Sequence, residues 1–300
     1  MVASPELTRA REAEVGGLTV RRLLPLRQRR TVGAWCFVDH YGPMSVDGVA
    51  GMQVPAHPHI GLQTVTWLLD GDVLHRDSLG TEQMIRPGQL NLMTAGHGIA
   101  HSEESPEGHD PGLHGVQLWL ALPDPAREMA PAFEHHADLP ALGRGGFDVT
   151  VFVGSLAGNE SPATVHSAIV GAEIGARRHA ETRIPLHPGH EHVIFVALGS
   201  ATAGGATLAP GTLLYLGAGQ ESVTLAAAEG SRIFLLGGEP LGEPVLMWWN
   251  FVGRTADDIA AAAADWDHGI RFGKVTGAAG DPIPAPPLDP ARLARRRPAR

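Results

Sequence analysis

Short runs of alternating apolar and polar residues dominate this chain, and glycine or proline closes most of them. The clearest run is Thr64–Leu69, which precedes a turn at Asp70-Gly71. A period of two places successive side chains on opposite faces and predicts a half-buried strand. Glycine (38) and proline (24) together exceed a fifth of the 300 residues, whereas charged residues make up only 18%. This composition is typical of many short strands joined by tight turns, so we expect an all-β protein.

The chain also contains an internal repeat. Pro87–Gly96 matches Pro210–Gly219 at five of ten positions, and each segment has the pattern turn, short strand, turn. A strand that ends in glycine precedes each copy, at Thr64–Gly71 and at Val193–Gly199. Two small β units in tandem are the natural interpretation. We place the domains at residues 1–135 and 136–300.

One short helix is predicted near the C-terminal end. Thr255 stands where an N-cap would, and Asp258 follows three residues later, before an alanine run that ends at Trp266. A hydroxyl followed at this spacing by a carboxylate is typical of a capping box. From Asp281 onward the chain is rich in proline, alanine and arginine, so we expect an extended or disordered tail.

Composition excludes several classes of function. The net charge of −9 disfavours a sequence-independent grip on nucleic-acid phosphates. No apolar segment approaches the ~20 residues of a membrane-spanning helix, and residues 1–30 lack the apolar run of a signal peptide. Cys36 is the single cysteine, as is usual in a reducing compartment. We therefore expect a cytoplasmic protein that binds neither membrane nor nucleic acid directly.

Candidate metal ligands occur in two pairs, His57-Pro58-His59 and His101-Ser102-Glu103. Residues two apart on a strand share a face, so each pair can direct two side chains at one point. With 16 histidines in the chain, about one His-x-His motif is expected by chance. Buried structural histidines are therefore the competing interpretation. The strand and turn between the pairs favour a metal site. We predict that His57, His59, His101 and Glu103 bind one divalent transition metal.

This ligand set limits the chemistry. Three imidazoles and one carboxylate leave two free positions on an octahedral ion, enough for a bidentate substrate or for substrate and dioxygen. The set suits Fe(II), Ni(II), Mn(II), Cu(II) or Zn(II), and a closed structural zinc is the alternative to an open site. Glu103 is the candidate catalytic residue, because a carboxylate that leaves the ion can take a proton from an enol or phenol. An inert fourth ligand is its alternative role.

Three further polar residues are candidates for supporting the ligands: His75, His97 on the turn at residues 95–98, and Gln117 on a later strand. A buried Gln117 would need a polar partner, and a metal-bound water is one. From His75 and His97 we expect loop hydrogen bonding rather than ligation. Loss of either histidine should weaken the site by ~10–100-fold at most.

The second copy of the repeat keeps few of the ligands. His187 corresponds to His59, whereas proline, threonine and alanine occupy the other three ligand positions. We therefore expect this copy to bind no metal, and we assign His187, His190 and His192 to the surface or to an interface.

Taken together, these residues resemble the pirin family of the cupin superfamily. The resemblance runs from about residue 18 to about residue 285, and its motifs are His57–Gly61, Thr64–Thr66, His75–Gly80, Met93–Gly96 with His101–Glu103, and Gly237–Pro240 with Trp248–Phe251. It implies a bicupin of two β-barrels, each a double-stranded β-helix. One metal, usually iron, would lie in the N-terminal barrel, bound by His57, His59, His101 and Glu103.

The resemblance implies two kinds of function. Some bacterial members resemble quercetin 2,3-dioxygenase, which opens the flavonol ring with dioxygen and releases carbon monoxide. Others resemble redox-dependent regulators that bind a partner protein. We favour an Fe(II) dioxygenase acting on flavonols or other aromatic enols, with the regulator as the alternative. The sequence departs from the common cupin pattern at Gln63, where a glutamate is usual, and at His97, where arginine is expected.

Overall fold

The computed structural model describes residues 5–289 and Leu293. Residues 5–289 form 25 strands and one helix, which confirms the prediction of an all-β protein with a short C-terminal helix. The strands are β1 Glu6–Arg9, β2 Arg11–Val15, β3 Leu18–Leu24, β4 Trp35–Ser45, β5 Gln53–His59, β6 Leu62–Asp70, β7 Val73–Asp77, β8 Glu82–Ile85, β9 Leu90–Thr94, β10 Ile99–Glu104, β11 Gly112–Ala121, β12 Ala132–His136, β13 Ala141–Arg144, β14 Phe147–Leu156, β15 Asn159–Glu160, β16 Ile169–Ala176, β17 Ala180–Pro185, β18 Glu191–Leu198, β19 Ala201–Ala203, β20 Ala206–Leu208, β21 Thr212–Gly217, β22 Ser222–Ala227, β23 Arg232–Gly238, β24 Leu246–Trp248 and β25 Phe251–Gly253. The helix is α1, Ala256–Asp267.

The chain forms two compact units. One, which we call the site unit, contains Glu14–Val20, Tyr41–His135 and the described residues from Gly242 onward. The other, the companion unit, contains the described residues up to Ala13, together with Arg21–His40 and His136–Leu241. Each unit is therefore assembled from several separate stretches of the chain, and one of the changes between units falls after His135.

Strand pairing and side-chain packing explain why each terminal segment belongs to its unit. Strand β1 pairs with β21, so that Glu6 lies opposite Tyr215 in the companion unit. At the other end, Ile259 and Ala262 of α1 pack with Ala56 and Ala100 of the site unit. The apolar face of the helix is buried there, and burial of a large apolar side chain stabilises by ~1.5–3 kcal/mol.

The site unit is built on a four-stranded sheet in the order β5-β10-β7-β8. Strands β9, β6 and β11 of this unit pair in that order within a second sheet. Because side chains alternate along a strand, the face of β5 and β10 that holds Ala56 and Ala100 packs on α1. The opposite face carries His57, His59 and His101. The helix therefore packs on the face of these strands opposite to the three histidines.

The helix starts as the sequence predicts. The hydroxyl of Thr255 accepts from the amide of Asp258, and the carboxylate of Asp258 accepts from the amide of Thr255, at 3.1 Å each. This reciprocal pair is a capping box and satisfies two otherwise unpaired amides. The prediction of the N-cap is confirmed.

The companion unit has the same two-sheet construction. Its larger sheet has the order β1-β21-β18-β23-β16-β14-β13, with β15 paired to β14, and its smaller sheet has the order β17-β22-β19-β20. Val151 and Ile194 of the larger sheet and Ile184 and Leu225 of the smaller one belong to a single buried apolar core. The predicted bicupin construction is confirmed.

The predicted C-terminal tail begins in contact with the site unit. Ile283 donates its amide to the carbonyl of Ala56, so the start of the tail is attached there. The arginine-rich end, Arg295–Arg297, lies outside the described residues. Among the residues the structure describes, no helix is long and apolar enough to cross a membrane.

Candidate metal centre

Strand register brings the predicted ligands together. In the antiparallel pair β5 and β10, His101 lies directly opposite His57, and His59 is two residues further along the same face. The register shifts between His101 and Glu103. A β-bulge of this kind redirects the side chains that follow it. Strand β10 is central, because it also pairs with β7, where Glu103 lies opposite His75.

The imidazoles of His57, His59 and His101 form one group of converging, buried ligand atoms. Their ring centroids are 5.0 Å (His57 to His59), 4.4 Å (His57 to His101) and 4.9 Å (His59 to His101) apart. The Nε2 atoms of His59 and His101 are 3.0 Å apart. Two nitrogen ligands that meet an ion at right angles, each at ~2.1 Å, would be about 3.0 Å apart. This pair therefore fits one shared cation.

Backbone carbonyls orient two of the three rings. The Nδ1 atom of His57 lies 2.9 Å from the carbonyl oxygen of Pro55, and that of His59 lies 3.0 Å from the carbonyl oxygen of Asn250. A carbonyl only accepts, so each Nδ1 donates and each Nε2 keeps its lone pair. Asn250 follows Trp249, whose φ of 49° is in the left-handed region. Strained backbone of this kind is often found at functional sites.

Burial keeps the three rings neutral. It lowers the pKa of His57 to about 4, although the bond to the Pro55 carbonyl acts in the opposite direction. The pKa of His59 and of His101 lies well below the ordinary histidine value, because burial and the neighbouring imidazoles both disfavour a positive charge. Neutral imidazole is the form that binds metal, so the site is prepared for a cation at neutral pH.

Glu103 lies beside this group rather than within it. Its carboxylate forms a second group of converging ligand atoms with His101 and His75. Thr66 on β6 donates its hydroxyl proton to Oε1 of Glu103 at 2.7 Å. Burial raises the pKa of Glu103, although the neighbouring His75 and the bond from Thr66 act in the opposite direction. The fourth predicted ligand is thus held next to His101 by the other sheet.

Gln117 and His75, predicted to support the ligands, lie close to them. Oε1 of the half-buried Gln117 is 3.0 Å from the hydroxyl of Thr66. A hydroxyl has one proton, and an ionised carboxylate is the stronger acceptor, so Thr66 serves Glu103 when that group is charged. His75 is buried, with Nδ1 3.4 Å from Nδ1 of His101. His75 therefore contacts His101 directly, whereas Gln117 reaches the site only through Thr66.

His97, the third candidate for a supporting role, forms a loop hydrogen bond away from this group. Its side chain is exposed, and its Nδ1 is 3.0 Å from the carbonyl oxygen of Met129. The amide of His97 also donates to the same carbonyl. The turn therefore directs His97 outward, where it anchors a neighbouring loop.

Several residues near the ligands were not predicted. Trp119 packs edge-on against His59, with ring centroids 5.1 Å apart, and Phe133 stacks on His75 at 4.6 Å. Asp77 lies two residues after His75 on one strand, a spacing that could have revealed it. The buried hydroxyl of Tyr41 has no hydrogen-bond partner among the described residues. Burial, and then the charge of Glu103, raise the pKa of Tyr41 and keep it neutral.

The histidines of the companion unit lie in different surroundings. Among the residues that the structure describes, both groups of three converging ligands lie in the site unit. His187 is exposed, as expected, but His192 is buried, so its assignment to the surface or to an interface was wrong. A Cβ atom at Gly237 would lie 2.5 Å from Cδ2 of His192, so the ring fills the space that this glycine leaves.

The fold and the site together define a bicupin in which one of the two units carries a group of imidazoles that can hold a metal ion. Sequence comparison identifies the family. The Pirin family model matches residues 17–120, and that of the Pirin C-terminal cupin domain matches residues 171–273. The chain belongs to the pirin family, which confirms the resemblance.

Similar proteins cover nearly all of the chain. A Pseudomonas aeruginosa protein with the provisional name quercetin 2,3-dioxygenase is 47% identical over 283 residues, which is 93% of this chain and 89% of that protein. The crystal structure of a quercetin 2,3-dioxygenase from Acinetobacter baumannii matches with a TM-score of 0.93 at 42% identity, covering 99% of this chain and 98% of that one. A bacterial pirin from Escherichia coli in complex with nickel(II) matches with a TM-score of 0.63 over 79% of this chain and 100% of that one. At 21% identity, this last likeness concerns the fold alone.

Proposed function

We propose that this protein is a metal-dependent dioxygenase that opens flavonols or related aromatic enols. The observation that carries the proposal is the group of three buried, neutral imidazoles, in which Nε2 of His59 and Nε2 of His101 are 3.0 Å apart. His57, His59 and His101 would hold one divalent ion, with Glu103 as the fourth ligand. The names of the relatives from Pseudomonas aeruginosa and Acinetobacter baumannii support the substrate class.

A bound ion would supply Lewis acidity toward an enol hydroxyl and, if it is iron, redox chemistry with dioxygen. The protein's part is to handle the proton. Glu103 is the base, since its carboxylate lies beside His101 and is held at 2.7 Å by Thr66. The aromatic rings of Trp119 and Phe133 next to the ligands suit a flat, apolar substrate.

The metal in this proposal is Fe(II). Nickel, manganese, copper and zinc fit the same donor set. Elemental analysis of protein purified without added metal decides between them. A preparation that contains none of these metals and cannot be loaded with any would contradict the proposal.

Oxygen uptake with a flavonol tests the activity. One flavonol and one dioxygen should give one depside and one carbon monoxide, and both products can be measured. The matched variants are His101→Ala, which should lose turnover, and His187→Ala, an exposed histidine of the companion unit that should keep it. Protein that is demonstrably loaded with metal yet forms neither product with any of a panel of enols would exclude the enzyme.

The regulator stays a prediction. Its partner protein would distinguish Fe(II) from Fe(III), yet His57, His59 and His101 are only 7%, 1% and 1% exposed. A partner could therefore sense the ion only through a shift of the surrounding strands. Equal affinity of a partner for the two oxidation states would exclude this role. We also propose that the protein acts in the cytoplasm, which cell fractionation can check.

A further inference from the structure

The three imidazoles of the proposed metal site differ in what holds them. His57 and His59 each direct Nδ1 at a backbone carbonyl, which fixes the proton there. His101 has a different partner, because its Nδ1 faces another imidazole nitrogen, Nδ1 of His75, at 3.4 Å. Such a contact is a hydrogen bond only when one of the two nitrogens carries a proton. Which one does so decides whether Nε2 of His101 is free to bind a cation.

Asp77 decides that question. Its Oδ2 atom lies 3.3 Å from Nε2 of His75. Its Oδ1 atom accepts from the amides of Leu79 at 2.9 Å and Thr81 at 3.0 Å. A carboxylate engaged in this way only accepts, so His75 carries its proton on Nε2 and leaves Nδ1 bare. His101 must then donate from Nδ1, and its Nε2 lone pair points toward Nε2 of His59.

The surroundings hold this chain of groups in place. His75 and Asp77 are 2% and 1% exposed, and Phe133 stacks on the ring of His75 with an interplanar angle of 25°. Strand register places Asp77 opposite His101. A buried carboxylate is costly unless several donors satisfy it, and this one has three. Capping of the turn at residues 77–81 alone would require Oδ1 but not the contact with His75.

We propose that His75 and Asp77 are positioning residues that set the tautomer of His101, so that its Nε2 atom binds the metal ion. The proposal rests on the metal site of the proposed function. In this proposal two side chains, which we call the relay, orient His101, whereas a backbone carbonyl orients each of His57 and His59. Side-chain partners of metal-bound histidines typically change metal affinity by ~10–100-fold.

Asp77→Asn tests the relay because it should reverse it. An asparagine that keeps its oxygen on the amides of Leu79 and Thr81 turns its NH2 group toward Nε2 of His75. His75 then holds its proton on Nδ1 and donates to Nδ1 of His101. The proton of His101 is driven to Nε2, where it blocks the lone pair.

The direct readout is the tautomer of His101 in the metal-free full-length protein. Long-range proton–nitrogen spectra of histidine-labelled protein distinguish the two forms, and the signal is identified by its loss in His101→Gln. The wild type should carry the proton on Nδ1, and Asp77→Asn should carry it on Nε2. A role in turn capping alone would not move this signal.

The second readout is calorimetric titration with nickel(II). Asp77→Asn should bind ~10–100-fold more weakly with an unchanged stoichiometry. Glu104→Gln is the matched control, because Glu104 follows on β10, faces the other side and pairs with Arg76. It should leave both the tautomer and the affinity unchanged.

A folded Asp77→Asn protein with the His101 proton still on Nδ1, or with unchanged nickel affinity, would overturn the proposal. If Asp77→Asn does not fold, the pair His75→Asn and His75→Leu replaces it. The amide oxygen of the first can accept from His101 and should keep the wild-type tautomer, whereas the second should lose it. If the wild type binds no nickel, the proposed function fails, while the tautomer of the metal-free protein still tests the relay.

Discussion

Removal of His101 should abolish most of the metal affinity while leaving the companion unit untouched. His101 is 1% exposed and contributes to both groups of converging ligands, so no described neighbour can take its place without moving. Structural zinc sites with four ligands bind with ~10–16 kcal/mol. One ligand in four therefore contributes ~2.5–4 kcal/mol, and His101→Ala should weaken binding on the order of 100- to 1000-fold.

Thermal unfolding with and without nickel(II) measures this loss. At ~100 times its dissociation constant, nickel should stabilise the wild type by ~2.7 kcal/mol, which corresponds to a rise in Tm of about 5–10 °C. At the same concentration His101→Ala should gain ~0.4 kcal/mol or less. The comparison is made within each variant, because loss of a buried ring also lowers the stability of the metal-free protein.

The control is His187→Ala, which removes an exposed histidine at the position that the repeat aligns with His59. It should show the full stabilisation of the wild type. A rise in Tm for His101→Ala equal to that of the wild type would refute the assignment of the ligands. A rise that disappears in His187→Ala would show that the companion unit binds the ion.

Three further predictions concern stability. Thr66→Val removes the hydroxyl that donates to Glu103 at 2.7 Å, so the free energy of unfolding in urea should fall by ~1.5–3 kcal/mol; an unchanged value would mean that Glu103 is uncharged there. Tyr41→Phe removes a buried hydroxyl that has no partner among the described residues, so its effect should stay within ~0.5 kcal/mol or be stabilising, and a larger loss would reveal a partner. Burial, and then the neighbouring imidazoles, lower the pKa of His192 to about 4 in the folded chain, against ~6.5 when unfolded. The unfolded chain therefore binds the proton first, and stability should fall as the pH drops below about 6.5, by up to ~3 kcal/mol near pH 4. Urea titrations across this range should show a smaller fall for His192→Gln than for the wild type, and an equal fall would contradict the assignment.

Features carried by neighbouring residues could be predicted from the sequence. The alternation of Thr64–Leu69 lies within β6, and the spacing of Thr255 and Asp258 gave the capping box. The two pairs of candidate ligands could be chosen because a period of two places their side chains on one face of a strand. Each of these signals extends over only a few neighbouring positions, so it can be recognised without knowledge of the fold.

The contacts that complete the site could not be predicted, because they join distant segments. The carbonyl of Asn250 that orients His59 is 191 residues away, and nothing in the sequence near His59 points to it. Thr66 reaches Glu103 from a different sheet, across 37 residues. The outward direction of His97 could not be predicted either, since proximity along the chain says nothing about which way a turn directs its side chain.

Because 191 residues separate His59 from Asn250, the two are synthesised at different times. A ribosome that adds ~5–20 residues per second needs about 10–40 s to progress from one to the other. Throughout that interval the emerging polypeptide exposes its cluster of histidines without the carbonyl and the supporting helix that complete it. We therefore expect insertion of the ion to be one of the last steps in maturation, after translation has delivered the final fifth of the chain.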